Sequence, residues 1–563
     1  MVHYLLSWGD PNERLYDVAI TFVAPADDPR LVLPAWRPGR YLIQNFAANV
    51  REWSAGAWKD GKSSWRVPAR AGEEVTFRYR YYAGVLDAGS SFLDAEEAYF
   101  NGSNLFMMVE GLREDEHRLT IAAPAGWRIE TQLVRDGEGT TFRARGYDHL
   151  IDSPTICAER MTRHTFLESG ATIHLIFRGD EGIDTEQYIE PVRAMVRYQA
   201  ELFGGLPFRE YRFLYHVGAM WHGVEHEDSS SIMLERSALL GAKPGDDGYD
   251  HMLSITSHEL FHVWNVKRIL PARFLPYDYS TETPTRLLWV MEGMTSYYGE
   301  LTLVRSGLWS EERYVAHLRK EIETLENLPA RRHLSLAQAS FDGWLSEPSR
   351  MHDHSNAWYS FYNKGQLVAM LLDLTIRRVS GGTKSLDDVL GILWSEYGAR
   401  GVGLEEDALE RAVARVADVG DFFARYVDGT DDLPYAELLR TVGVAFDSRA
   451  HSPAPALGAK VKAIDGALLV QNVTRGGAAM DASVLPGDEL VALDGTRTNT
   501  ASALASALDG AAGRESAELL IARWGVMKTL SLPLKADPRV TIELKIAGES
   551  DVRRAWLGER REG

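Results

Sequence analysis

The hydrophobic period of this chain changes along its length, and those changes partition it before any residue is given a role. From Met1 to about Ala158 apolar and polar residues alternate in short runs, as in YDVAITFVAP, EVTFRYRYYAG and HRLTIAAPAGWRIETQLV, with turn residues between them. Successive side chains of a strand point to opposite faces, so this pattern predicts an antiparallel sandwich or barrel. From about Thr162 to Gly443 helical periods take over. TEQYIEPVRAMVRYQAELFGG is an amphipathic helix closed by a glycine pair, and SEERYVAHLRKEIETLENLP opens on Ser310 as N-cap with two glutamates at the positive end of the helix dipole. YRFLYHVG, between the first of these and the next helical run, reads as a strand. After the join SRAHSPAPALGAK the alternation returns until about Ala536, and a mixed-charge tail follows.

The expected fold class is therefore multidomain α+β. It comprises an N-terminal β-sandwich-like domain (1–160), a helix-rich domain (161–445), a β-rich module (446–540) and a C-terminal tail (541–563). The module's stretch LGAKVKAIDGALLVQNVTRGGAAMDASVLPGDELVALDG runs strand, strand, short helix, strand, with a PDZ-like PGDELVALDG turn. Such modules bind extended peptides along a sheet edge and capture a terminal carboxylate on backbone amides, here near Leu457, Gly458 and Ala459. A peptide-binding groove and a structural cap are both open readings.

Composition removes several partners. The chain carries 61 Lys+Arg against 80 Asp+Glu, a net charge of −19, which opposes non-specific binding to nucleic acid or an anionic membrane. Its single cysteine, Cys157, allows no intramolecular disulfide and reads as a small buried hydrophobe. The first residues lack a basic start followed by an apolar run, and no segment approaches the about 20 apolar residues of a membrane helix. The expectation is a cytoplasmic protein.

The chemistry concentrates in SITSHELFHVWNVKRIL, Ser254 to Leu270. Residues four apart on a helix lie one above the other, so His258 and His262 can offer two imidazole nitrogens to one ion. Glu259 sits about 100° round the axis, placed to touch a metal-bound water without ligating. Leu253, Leu260 and Trp264 share a face, and Pro271 ends the helical pattern. A third ligand comes from RLLWVMEGMTSYYGELTLVRSG, a second helical run in which Leu288, Glu292, Thr295 and Gly299 form one stripe. Glu292 is flanked by apolar residues, where a carboxylate is paired or ligating; the alternative to ligation is an ion pair with Arg286 or Arg305. Two histidines, one carboxylate and a position left to water compose a hydrolytic zinc site. Glu225 and His226 in AMWHGVEHEDSSSIM, and Tyr362 and Lys364 in SFYNKGQLVAMLLDL, are weaker signals alone. Glu225 reads equally as a solvated loop acid and Tyr362 as a core tyrosine. His352, Asp353 and His354 in RMHDHSNAW are not expected to share a second metal, since loop neighbours rarely ligate one ion together.

With these residues assembled, the chain resembles the glycyl aminopeptidase family of gluzincin metallopeptidases, and more distantly aminopeptidase N and leukotriene hydrolase. The matching pieces are LPAWRPGRYLIQNFA, HGVEHEDSS, HELFHVWNVKRI, WVMEGMTSYY, YNKGQ and GDELVALDG, in family order over nearly the whole chain. The resemblance implies an N-terminal β domain, a thermolysin-like zinc peptidase domain and a C-terminal PDZ-like domain. It carries the metal ligands onto His258, His262 and Glu292, with one Zn2+ per chain, and the general base onto Glu259. HGVEH stands where the wider group has Gly-Ala-Met-Glu-Asn, so Glu225 inherits the substrate amine by position although the flanking residues differ. Tyr362 maps onto the tyrosine that donates to the oxyanion. His226 is of interest because it adjoins Glu225, where orienting that carboxylate or the substrate and plain loop packing are both open readings.

The function this implies is a zinc aminopeptidase acting on peptides with a free N-terminus, with Gly or Ala favoured. Two further readings stay open at the level of sequence: a non-catalytic peptide-binding scaffold on a peptidase fold, and a zinc hydrolase of a non-peptide substrate such as an epoxide.

Overall fold

The computed structural model describes residues 1–345 and 353–558, so His352 lies outside the described residues. The chain forms two compact units. The first contains Met1–Thr285, Tyr298–Leu308 and Asp387–Ala412; the second contains Arg286–Tyr297, Trp309–Leu386 and Val413–Gly563.

In the first unit the alternating N-terminal segment builds a seven-stranded sheet that includes the adjacent strands Val2–Trp8, Leu15–Val23 and Glu74–Tyr82, and two four-stranded sheets. Inward residues of these strands, among them Tyr4, Val18, Ile20, Phe77 and Tyr79, make one core with Trp65, Phe106 and Tyr147. Cys157 is buried in that core, as a small apolar group.

The helical period does not begin at Thr162. Thr162–Glu168 and Ala171–Arg178 form a hairpin, and with Glu210–Gly218, Ser229–Glu235 and His222–Glu225, in that spatial order, they make a five-stranded sheet. Ala171–Arg178 is largely buried on both faces, one carrying Ala171, Ile173, Leu175 and Phe177 and the other Thr172, His174 and Ile176, so burial there does not follow the polarity pattern. Helix Ile189–Phe203 follows and stops at Gly204, in the left-handed conformation at φ 75°, as the glycine pair predicted. YRFLYHVG lies in Glu210–Gly218, the strand its apolar run indicated.

The second unit holds helix Glu311–Glu326, capped by Ser310 on the Arg313 amide, and helix Phe361–Val379, buried almost all round. Its β-rich module has the expected order: strands Ala459–Ile464 and Ala467–Val473, helix Ala478–Asp481, strand Glu489–Leu493. The module is fixed to the helical part of this unit by Asn356, whose amide donates to the Val473 carbonyl at 2.6 Å and accepts from the Arg475 amide at 2.8 Å.

The described residues of the segment read as a tail are structured. Val540–Ile546 pairs antiparallel with Val444–Ala450, and Asp551–Leu557 is a helix capped by Ser550. Its Trp556 is fully buried, and the indole donates to the Tyr297 hydroxyl at 2.9 Å, which donates to Asp373 at 2.7 Å. Mixed charge conceals this because Arg553 and Arg554 take partners, Glu311 for the first and Asp551 for the second. No described helix is long and apolar enough to cross a membrane.

Truncating Trp556 removes a large buried ring and leaves a cavity. Trp556→Ala is expected to lower stability by about 3–5 kcal/mol, read as a fall in calorimetric Tm, with Trp556→Phe recovering part of it.

Candidate metallopeptidase site

The histidine helix spans Asp247–Phe261 and ends at His262, not at Pro271. Beyond His262 the chain turns tightly, with the Val266 and Lys267 amides returning to the His262 carbonyl at 3.3 and 3.0 Å. The helix is held on its buried side by Gln199, whose amide donates to the Ser257 carbonyl at 3.0 Å.

His258 and His262 point the same ring atom at the same place. Their Nε2 atoms are 3.0 Å apart, with ring planes at 87°. Two nitrogens at about 2.05 Å from one tetrahedral ion lie about 3.3 Å apart, so the pair fits a shared cation with a small adjustment. His262 Nδ1 lies 2.7 Å from the Asn265 carbonyl oxygen. A carbonyl can only accept, so Nδ1 carries the proton and Nε2 presents its lone pair. Asn265 was not singled out from the sequence; its backbone does the work, and backbone positions carry no residue signature.

Two carboxylates join this pair within the same unit. Ligand atoms of Glu225, Glu259 and His262 all lie within 4.8 Å of one another, and all three side chains are buried. Glu225 is the last residue of strand His222–Glu225, the outer strand of the five-stranded sheet, opposite Ser230. That strand must approach the helix closely: a Cβ on Gly223 would stand 1.9 Å from Glu259 Oε1. The Glu225 carboxylate lies against a second glycine, Gly39 of the RPGR turn, where φ is 78° and a Cβ would stand 2.4 Å from Oε2. Glu225 Oε1 is buried and has no hydrogen-bond partner among the described residues.

His226 turns away from that group towards Asp152, its Nδ1 at 3.1 Å from Oδ1. Asp152 also accepts from Lys267 Nζ at 2.8 Å and from the Glu227 amide at 2.8 Å. One carboxylate thus ties the loop after Glu225 to the turn after the histidine helix. Burial opposes charge on both partners, but Lys267 and His226 hold the Asp152 carboxyl well below the usual range. Asp152 in turn holds the Lys267 ammonium above the lysine range. Sequence reasoning missed Asp152 and Lys267, which are far apart in the chain and match no spacing rule.

In the second unit Glu292 is 2% exposed and belongs to a π-helical turn, Trp289–Gly293, that leads into helix Met294–Arg305. The extra residue in such a turn shifts the stripe that the helical period predicted, and π turns gather at functional positions. Arg286 pairs with Asp428 and Arg305 with Asp387. Gly293 meets Gly365 of helix Phe361–Val379, where a Cβ on Gly293 would stand 2.5 Å from Gly365 Cα. Tyr362 lies in the first turn of that helix, half-buried, with its amide capped by Ser360 Oγ at 3.2 Å. Lys364 is buried beside the Tyr359 ring, and burial brings its pKa down to about 8.

Three stretches of the chain, and its fold as a whole, have counterparts among known proteins. Residues 251–368 match the M61 glycyl aminopeptidase family, residues 3–159 the peptidase M61 N-terminal domain, and residues 455–534 the PDZ domain. A solved structure of an aminopeptidase N family protein from Idiomarina loihiensis is 29% identical, covers 99% of this chain and 100% of its own, and superposes with a TM-score of 0.92. A mutant M1 zinc metallopeptidase from Deinococcus radiodurans, bound to a Tyr-Ser-Ala substrate, is 15% identical over 77% of this chain and 94% of its own, with a TM-score of 0.47. That likeness is too distant to argue from. Comparison with curated protein sequences gave no match. The chain is a metallopeptidase with an aminopeptidase fold. Its middle stretch is similar to the M61 glycyl aminopeptidases, and the stretches on either side to their N-terminal domain and to a PDZ domain.

Because Gly223 leaves room for the Glu259 carboxylate and for nothing larger, Gly223→Ala displaces that carboxylate by about an ångström. The expected result is about a 10²-fold fall in kcat with metal content unchanged, measured on the purified variant.

Proposed function

We propose that this protein is a zinc-dependent aminopeptidase that releases N-terminal residues, with small ones such as Gly and Ala favoured, from peptides. The observation that carries the reading is the convergent imidazole pair, Nε2 to Nε2 at 3.0 Å, with Glu259 and Glu225 grouped at His262. In this reading His258, His262 and Glu292 hold one zinc ion. The donor set of two neutral nitrogens and a carboxylate oxygen suits zinc in a catalytic site. Bound zinc supplies a Lewis acid that polarises the scissile carbonyl and lowers the pKa of a water to about 7.

The remaining work falls to side chains. Glu259 takes a proton from the attacking water and delivers it to the departing amine, which requires a carboxylate that is ionised before attack and within reach of both. Glu225 holds the free α-ammonium of the substrate; its buried Oε1 without a partner supports this, since a buried carboxylate oxygen left unpaired is costly. The strand that carries Glu225 is the outer one of its sheet, so an extended substrate can lie along it by strand addition. The Tyr362 hydroxyl donates to the carbonyl oxygen as negative charge develops there. His226 acts on the substrate only indirectly, by tying the loop that follows Glu225 to Asp152. The preference for small residues follows the family match.

The PDZ module offers a second peptide site in this reading. Strand Ala459–Ile464 is at the edge of its sheet, after the Leu457–Gly458 loop and near helix Ala501–Gly510.

Cleavage of Gly- and Ala-anilides tests the reading. Activity is expected in the parent, absent in Glu259→Gln and in metal-stripped protein, and restored by zinc only in stripped parent. Tyr362→Phe is expected to lose about 10²–10³ in kcat with zinc retained. Glu225→Ala should lose the discrimination between free and N-acetylated peptides. Bound zinc without turnover of any free-amine peptide supports a scaffold; hydrolysis indifferent to the amine supports a non-peptide substrate.

A further inference from the structure

Beside the Glu225 loop lies a cavity of about 260 Å³, walled by Arg37, Pro38, Asp152, His226, Lys267 and Tyr277, with both polar and apolar residues completing the wall, Asp148 and Glu227 among them. It reaches the amine-binding loop at two places. His226 follows Glu225 in the chain, and Pro38 precedes Gly39, on which the Glu225 carboxylate rests.

The charges around this cavity do not balance pair by pair. Asp152 has Lys267 and His226; Asp148 has Arg113 at 2.8 Å; Glu227 has Arg145 at 2.5 Å. Arg37 is 3% exposed, and among the described residues it makes no ion pair. Its Nη1 donates to the Pro38 carbonyl at 3.2 Å, while its buried Nε has no hydrogen-bond partner. Glu225 and Asp87 are its neighbouring carboxylates, acting at a distance. The guanidinium is fixed flat over Gly89, where a Cβ would stand 2.0 Å from Nη2. His226 is 4% exposed, and its buried Nε2 is likewise without a partner among the described residues. A buried guanidinium held rigid, with an unused donor and no counter-ion in contact, is matched by a planar oxyanion.

We propose that this cavity binds a carboxylate carried within a residue's length of the substrate's free amine, anchored by Arg37. The inference rests on Glu225 holding the amine. A substrate with both charges then places its ammonium on Glu225 and its carboxylate on Arg37. Gly and Ala leave the cavity to water, whereas an N-terminal Asp or Glu fills it and is also accepted. The same chemistry could come from the terminal carboxylate of a dipeptide, and the two sources can be told apart.

The test uses the zinc-loaded full chain and compares kcat/KM for Asp- and Asn-anilides, which lack a terminal carboxylate. The Asp substrate is expected to exceed the Asn substrate by about ten- to hundredfold, with the ratio falling to near one in Arg37→Gln. Equal anilide rates, together with Gly-Gly competing about tenfold better than its C-terminal amide in the parent but not in Arg37→Gln, would assign the carboxylate to the peptide terminus. Arg37→Lys keeps the charge without the planar fork and should recover part of either difference. The parent comparisons need no variant, so they decide the question even where a variant fails to fold. No preference for either carboxylate in the parent overturns the proposal. Turnover of Gly-anilide reports the amine reading separately. If that turnover is absent, calorimetric titration with succinate still decides the cavity: binding to the parent and not to Arg37→Gln supports it, and no binding to the parent overturns it.

Discussion

Everything in the first unit's site depends on two imidazoles being brought to 3.0 Å at their Nε2 atoms, with a backbone carbonyl holding His262 Nδ1 from behind. A helix brings residues four apart onto one face, but it does not choose which ring nitrogen faces out. The early end of the helix does: the turn that follows His262 aims the Asn265 carbonyl back at Nδ1, which fixes the tautomer. Had the helix run on to Pro271, that carbonyl would have pointed along the helix axis.

Two glycines then let carboxylates approach the pair. Gly223 admits Glu259 from the neighbouring strand, and Gly39 of the N-terminal domain admits Glu225. The N-terminal β domain is therefore part of the site's wall, through the RPGR turn and Asp152. Asp152 sits where burial would disfavour any lone charge, and it is tolerable only because Lys267, His226 and the Glu227 amide converge on it. Removing one member of that set strands the others in a low-dielectric setting.

Much of this was legible in the chain. His258, Glu259 and His262 declare themselves because a helix converts a fixed spacing into a shared face, and Ser310 and Gly204 mark helix ends through capping chemistry that acts on nearest neighbours. Glu225 was found by position in a resemblance, and its burial against Gly39 is a tertiary fact with no local trace. The strands at Thr162–Arg178 fell within the span read as helical, although Thr162–Glu168 alternates between exposed and covered positions as an edge strand does. The π turn at Glu292 breaks the very period used to find the residue, and the Trp556 helix was hidden by charges such as Arg553, whose partner Glu311 is distant in sequence. Local rules report local physics; hubs such as Asp152 are assembled by topology.

In the function proposed, His258, His262 and Glu292 together hold zinc. X-ray absorption at the zinc edge, on the parent and on Glu292→Gln at matched protein concentration, tests it most directly. The expected result is one zinc per parent chain with nitrogen and oxygen ligands at about 2.0–2.2 Å, and loss of both the carboxylate oxygen and most of the zinc in Glu292→Gln. Zinc bound with the same ligand shell and the same stoichiometry in both proteins would contradict it.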